Sequence, residues 1–343
     1  MSQNSETRIG HLPSSAHGAN RTESDRDTFL PSSQPNEIRI AVLIPCYNEA
    51  AAIAEVIADF KDALPHAIIY VYDNNSTDDT LQRAREAGAI VRTEMRQGKG
   101  NVVRRMFADI ESDVYVLVDG DNTYDASSVR AMVQKLVDEK LDMVVGARRA
   151  ENEAAAFRRG HRFGNDLLTS FVGVLFGRSF SDILSGYRVF ARRFVKSFPA
   201  LSTGFETETE LTVHALELRM PISEVVTPYG ARGDGSVSKL HTYRDGMRIL
   251  MMILMLFKEE RPLAFFSILF ALFSGASMVL AYPLVLTYLE SGLVPRFPTA
   301  ILATGLMLLA FLSLVSGLIL DTVTHGRREL KRLVYLSIPA IGQ

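Results

Sequence analysis

Ile38-Arg39-Ile40-Ala41-Val42-Leu43-Ile44 runs into Pro45-Cys46-Tyr47-Asn48-Glu49, and this stretch decides the fold. An apolar run of strand length that stops at a proline and polar residues is the pattern of a strand buried on both faces. Residues 49–64 then carry apolar side chains at helical spacing, and Ala67-Ile68-Ile69-Tyr70-Val71-Tyr72 is a second strand, ending at Asp73. Asp78-Asp79-Thr80 opens another helix that runs to Gly88, and 89–92, 114–118 and 143–146 read as three more strands. Strands alternating with helices over residues 37–150 predict an α/β domain with a doubly wound, mainly parallel sheet.

Ligands of such sheets sit outside the carboxyl ends of the strands. Three strands here end in polar clusters: Pro45-Cys46-Tyr47-Asn48-Glu49, Asp73-Asn74-Asn75-Ser76 and Asp119-Gly120-Asp121. Any one of them reads as an ordinary turn; three on one rim read as a site. Asp119 and Asp121, with a glycine between them that lets a ligand approach, suit Mg²⁺ or Mn²⁺ shared with substrate phosphates. Tyr47, Asn48, Glu49 and Asp73 are placed for the base and ribose of a nucleotide. Gln97-Gly98-Lys99-Gly100-Asn101 sets a cation in a glycine-rich turn at a helix start, a place for phosphate. It lacks the spacing of a Walker loop.

The chain has 343 residues, 47% of them hydrophobic and 22% charged, enough for one catalytic domain and an appendage. The formal net charge of −2 gives no bias toward nucleic acid. The single cysteine, Cys46, closes no disulfide within the chain and reads as a small buried residue. Residues 1–36 show no hydrophobic periodicity and no signal-peptide core, so a disordered tail and a cytoplasmic catalytic domain are expected. Residues 262–289 and 297–320 contain no charged residue and are long enough to cross a bilayer. Lys258 and Arg261 precede this pair and Arg327, Arg328, Lys331 and Arg332 follow it, which predicts a hairpin with both ends cytoplasmic. Just upstream, 243–257 mixes charge with a dense run of Ile, Leu and Met and suits a helix in the membrane interface. Residues 165–176 have a similar character and suit the interface or the core equally.

Seven motifs in order carry a family resemblance: Ile44-Pro45-Cys46-Tyr47-Asn48-Glu49, Asp73-Asn74-Asn75-Ser76-Thr77-Asp78, Gly98-Lys99-Gly100, Asp119-Gly120-Asp121, Gly146-Ala147-Arg148, Ser185-Gly186-Tyr187-Arg188 and Ser238-Lys239-Leu240. Over residues 38–321 the chain resembles a family 2 glycosyltransferase of the GT-A fold, in the dolichyl-phosphate-mannose synthase-like group of polyprenyl-phosphate glycosyltransferases. The resemblance implies a GT-A catalytic domain over 37–240, an interface helix over 241–261, the transmembrane hairpin over 262–321 and a basic cytoplasmic tail over 322–343. It implies that Pro45, Tyr47, Glu49, Asp73, Lys99, Asp119, Gly120 and Asp121 bind the nucleotide-sugar, and that Asp119 and Asp121 engage the metal and the diphosphate. Arg148 and Arg162, with Arg232 and Lys239 from a closing loop, would bind the acceptor phosphate; two guanidinium forks suit that ligand. Two departures stand out: Asn122-Thr123-Tyr124-Asp125 follows the carboxylate pair, leaving Asp125 or Asn122 open as a third metal ligand, and Asp166 stands where some relatives have serine.

The expected reaction is inverting transfer of a sugar, UDP-linked by family frequency rather than GDP-linked, to polyprenyl phosphate on the cytoplasmic leaflet. Its product is a β-linked polyprenyl-phosphate sugar. Another membrane lipid acceptor, a processive polysaccharide synthase and a non-catalytic membrane scaffold are the alternatives. The processive enzymes carry a Gln-x-x-Arg-Trp motif, whereas this chain has no tryptophan. A two-span anchor leaves apolar helix surface on which a homo-oligomer can pack.

Overall fold

The computed structural model describes residues 38–150, 159–177, 181–200, 207–230 and 242–342, with backbone alone at 150, 159–166 and 242–249. The expected N-terminal tail, Arg232 and Lys239 lie outside the described residues, as does the side chain of Arg162. The strands are β1 (Ile40–Cys46), β2 (Ile68–Asp73), β3 (Ile90–Thr93), β4 (Val114–Leu117), β5 (Met143–Ala150), β6 (Arg188–Ala191) and β7 (Ile222–Tyr229). They form one sheet in the order β3-β2-β1-β4-β6-β5-β7. β6 alone runs antiparallel, between β4 and β5.

The alternation of side chains along β1 divides the core. Ala41 and Leu43 face one layer with Tyr72, Met106, Phe107, Leu117 and Phe190. Val42 and Ile44 face the other with Ile53, Ile57, Phe60, Val116, Met132 and Leu136. The second layer comes from α1 (Ile53–Ala63), α2 (Thr80–Glu86) and α4 (Val129–Asp138). The first comes from α3 (Lys99–Asp109), α5 (Arg159–Phe176), α6 (Arg192–Ser197) and α7 (Thr207–Glu217). A sheet with helices on both faces is what near-continuous apolar strands require.

The expected α/β GT-A architecture stands, with two additions. β6 escapes a reading by apolar runs because it begins at Arg188 behind a Ser-Gly turn. β7 escapes it because Pro228 interrupts its sequence, which an edge strand tolerates.

Three long helices complete the chain: α8 (Thr242–Glu260), α9 (Pro262–Ser291) and α10 (Phe297–Leu336). α8 packs Ile253 into the core yet turns Met251 and Met255 outward, so its outer face is apolar as well. α9 and α10 are long and apolar enough to cross a membrane, and most of their apolar stretches are uncovered. They approach closely where Gly317 faces Phe266 and Leu263, and Ser277 Oγ donates to Ala303 O at 2.7 Å. Small residues and a hydroxyl bond are what lets apolar helices pair.

α10 continues well past the apolar stretch and docks on the catalytic domain. Lys331 Nζ lies 2.6 Å from Glu217, Arg328 2.7 Å from Glu260, and Tyr335 Oη donates to Asp142 at 2.8 Å. Asp142 also binds Arg193. Glu217 and Asp142 have fully buried side chains, so these cations offset charges that would otherwise be unpaired away from water.

Replacing Arg328 by Met removes one such cation and is expected to cost about 3 kcal/mol, read from thermal unfolding of the detergent-solubilised protein. On α7, burial and then the charge of Lys331 hold His214 down at about 3, below its ordinary 6.5. The unfolded chain therefore binds the extra proton between those values, and stability falls as pH drops through that window. The slope from this group is at most ~1.4 kcal/mol per pH unit. His214→Leu is expected to flatten the change in urea-unfolding free energy between pH 7 and pH 5.

Candidate active site

The strand ends that the sequence singled out do meet on one rim. The turns after β1, β2 and β4 each place an asparagine at positive φ: Asn48 at 54°, Asn75 at 65° and Asn122 at 56°. Asparagine tolerates this left-handed region better than most residues, so the chain reverses immediately beyond the sheet. Ser76 Oγ accepts the Asn48 amide at 2.9 Å, and Asn48 Oδ1 accepts the Thr77 amide at 2.8 Å, which ties the first two turns together. Asp73 accepts the amide of Ser76 at 3.1 Å. Asn74 organises the approach to α3: its amide nitrogen donates to the carbonyls of Glu94 and Arg96, and its oxygen accepts the Gly98 amide at 2.6 Å. Gly98 has φ 124°, which a side chain would resist, and Lys99 follows as the first residue of α3.

Lys99 is the centre of the site. Its ammonium lies 2.5 Å from Asp119 Oδ1 and 2.5 Å from Glu208 Oε1. Burial works against its charge, but Asp119 and Glu208 outweigh burial and hold its pKa above the usual lysine value. Asp121, 5% exposed, accepts the hydroxyl of Thr123 at 2.6 Å. Gly120 sits over Cys46 Sγ, where an added Cβ would come within 2.7 Å, so this position between the carboxylates admits only glycine without a shift. Burial in turn pushes the Cys46 thiol well up.

The turn before β6 forms the opposite wall. A Cβ at Gly186 would collide with the carboxylate of Asp119, and the Gly186 amide donates to Tyr124 Oη at 2.8 Å. Ser185 Oγ donates to Gly146 O at 2.6 Å. Asp182 grips Arg148 through both oxygens, at 2.6 and 2.8 Å, and the guanidinium lies 5.4 Å from the ring centre of Tyr229. Burial alone would lower the Arg148 pKa, but Tyr124 and Asp182 outweigh it and raise the pKa above the ordinary arginine value, so the cation is secure. Arg188 fastens the turn. It is wholly buried and donates to Ser185 O, Ile183 O and Thr212 Oγ1 at 2.9, 2.5 and 2.8 Å. Burial pulls its pKa down to about 10.

Formal charges in the cluster are one cation, Lys99, against three carboxylates, Asp119, Asp121 and Glu208. A diphosphate would not enter this field unaided, whereas a divalent cation matches both the net −2 and the hard oxygen donors. The residues therefore fit Mg²⁺ or Mn²⁺ held by two carboxylates and substrate oxygens. Among the described residues no group of three His, Cys, Asp or Glu forms a ligand set. Asp125 accepts hydrogen bonds from the amides and hydroxyls of Ser127 and Ser128, and so caps the following turn.

Of the residues singled out in the sequence, the structure brings Lys99, Asp119, Gly120 and Asp121 together. Pro45, Tyr47, Glu49 and Asp73 lie at the adjacent ends of β1 and β2, and Arg148 lies near the end of β5. Sequence reasoning missed Glu208, Asn74, Asp182, Gly186 and Tyr124 as parts of this site. Asn74 and Gly186 stood inside quoted motifs. Glu208 had no such signal, since Thr-Glu-Thr-Glu before an apolar run reads as a helix start.

A mixed sheet with a carboxylate pair at the end of a central strand, facing a buried lysine, defines a transferase of the GT-A fold. A family model described as "Glycosyl transferase family 2" matches residues 41–198. Glycosyltransferase AglJ of Haloferax volcanii is 34% identical over 304 residues, which cover 87% of this chain and 98% of that protein. The chain belongs to glycosyltransferase family 2, and it is a glycosyltransferase. A dolichyl-phosphate hexose transferase of the same organism is 28% identical over 223 residues, 65% of this chain and 95% of its own length. Glucosyl-3-phosphoglycerate synthase of Mycobacterium tuberculosis, solved with Mn²⁺, UDP-glucose and phosphoglyceric acid, shares the fold with a TM-score of 0.51 and 23% identity. That match covers 64% of this chain and 79% of the solved one.

Gly186→Ala tests the wall. The added methyl group must displace the Asp119 carboxylate, and a displacement on the order of 1 Å in such a site costs about 100-fold in rate. Sugar-transfer activity is expected to fall by about that factor in protein that circular dichroism shows to be still folded.

Proposed function

We propose that the protein transfers a sugar from a nucleotide-sugar to polyprenyl phosphate at the cytoplasmic face of a membrane, with inversion at the anomeric carbon. The observation that carries this reading is the continuity of the chain: the domain that bears the carboxylate cluster leads through α8 into two helices whose long apolar stretches have uncovered surfaces. The outward Met251 and Met255 of α8, just before the first of them, suit contact with the same interface. The cations on either side of the hairpin favour cytoplasmic ends. The dolichyl-phosphate hexose transferase among the relatives favours a lipid-phosphate acceptor.

The residues divide the work by chemistry. Tyr47, Glu49 and Asp73, beside Pro45, lie where a nucleoside would rest against the ends of β1 and β2. Lys99 offers the diphosphate a fixed ammonium. Asp119 and Asp121 would hold Mg²⁺ or Mn²⁺, which when bound supplies positive charge to the departing diphosphate. Arg148, with Arg162, Arg232 and Lys239, would orient the acceptor phosphate; Asp182 keeps the Arg148 fork at a fixed angle.

A phosphate monoester is ionised near neutral pH, so its oxygen needs no general base. That oxygen bonds to the anomeric carbon as the bond from that carbon to the diphosphate oxygen breaks. The electron pair leaves with the nucleoside diphosphate, and no proton is transferred. Attack from the face opposite the leaving group turns an α-linked donor into a β-linked product. UDP is favoured as the carrier by family frequency.

Labelled UDP- and GDP-sugars offered to the purified enzyme with undecaprenyl phosphate and Mn²⁺ should give one lipid-phosphate product. EDTA and Asp121→Asn should each reduce it at least about 100-fold, the scale of removing one electrostatic partner from a leaving group. Nucleotide binding without transfer to this lipid would redirect the reading to another membrane acceptor.

A further inference from the structure

Glu208 is more than a tether for Lys99. It enters the site from the first turn of α7, is 5% exposed, and uses Oε1 for the ammonium. Its other oxygen, Oε2, is buried and has no hydrogen-bond partner among the described residues. A desolvated carboxylate oxygen left without a donor is costly to bury, so an unpaired one in a site asks for a ligand. Oε1 is held at the same ammonium as Asp119 Oδ1, so the two carboxylates approach within about 5 Å of one another.

The chemistry of Oε2 limits what it can take. An ionised carboxylate only accepts hydrogen bonds, and this one stands in a cluster already rich in negative charge, so a phosphate oxygen is excluded. The part of a nucleotide-sugar that adjoins the diphosphate and offers hydrogen-bond donors is the sugar ring itself. The geometry points to Glu208 as the specificity-determining residue for the donor sugar, accepting a ring hydroxyl through Oε2 while Oε1 keeps Lys99 on the diphosphate side. This assignment rests on the nucleotide-sugar reading above. Thr212 Oγ1 donates to Glu208 O at 3.1 Å and receives Arg188 at 2.8 Å, so the backbone that carries the carboxylate is fastened to the same buried arginine that fixes the Gly186 wall.

Binding separates this role from simple support of Lys99. The full-length protein with Mn²⁺ is titrated by calorimetry with UDP, with GDP and with a panel of UDP- and GDP-hexoses that includes the epimers UDP-glucose and UDP-galactose. In Glu208→Gln the affinity for the preferred nucleotide-sugar is expected to fall roughly 10- to 100-fold, the worth of a hydrogen bond to a charged group, and the preference between epimers to shrink. Affinity for the free nucleoside diphosphate reports the charge change beside Lys99 by itself, so the sugar increment is read as the ratio of nucleotide-sugar to diphosphate affinity, and that ratio should fall. Glu208→Asp keeps the charge beside Lys99 but withdraws the oxygen by one methylene, and should lose the sugar increment in the same way. If diphosphate and nucleotide-sugar weaken in step in both variants, Glu208 merely supports Lys99 and the assignment is wrong. A sugar that adds no affinity in the unaltered protein sinks it as well. Failure of the unaltered protein to bind any nucleotide defeats the donor reading itself, and this one with it.

Discussion

One buried ammonium sets the terms for the rest of this site. Lys99 is shared between Asp119, just past the end of β4, and Glu208, on a helix that lies between β6 and β7 in sequence. Glu208 is almost wholly withdrawn from water, where a charge without a partner costs several kcal/mol, and Asp119 is partly so. The lysine therefore cannot leave without exposing two unpaired anions, and neither carboxylate can turn away without stranding the other two groups. The devices around it serve that placement. Asn74 holds the loop that delivers Lys99, Gly186 leaves room for Asp119, and Arg188 locks the turn that carries Gly186.

The same arrangement shows why a single short antiparallel strand matters. β6 inserts between β4 and β5, so the turn leading into it arrives at the carboxyl-terminal rim rather than the opposite edge. Ser185, Gly186 and Asp182 thereby reach the ends of strands that run the other way. A purely parallel sheet would have placed that turn on the far side. The buried Arg188 is the cost of the device: a guanidinium with no water, stabilised by two carbonyls and a hydroxyl.

The strand ends were legible in the amino-acid sequence because each apolar run gives way to polar turn residues, although β1 runs through the expected stop at Pro45 to Cys46, and β2 includes Asp73. The sheet's parallel half, the two long apolar stretches and the fold class were readable from the same kind of pattern. β6 and β7 were not, since an arginine in the core and a proline on an edge contradict the apolar pattern that marks a strand. Glu208 was hidden by distance. It meets Lys99 across 109 residues, and no local period announces such a pairing. The asparagines at positive φ stood in plain view at the rim, but their part in holding one turn to the next depends on which loops become neighbours.

The docking of the last helix carries a consequence for how the molecule comes into being. Glu217 is buried against Lys331, 114 residues later in the chain. At a synthesis rate of about 5–20 residues per second, that partner leaves the ribosome roughly 6–23 seconds after the glutamate does. The intervening segment contains both apolar helices. A freshly made catalytic domain thus waits with Glu217 short of its lysine until the far end of the last helix returns to it. Completion of the catalytic domain is in that sense gated by the synthesis and packing of the segment that carries both apolar helices.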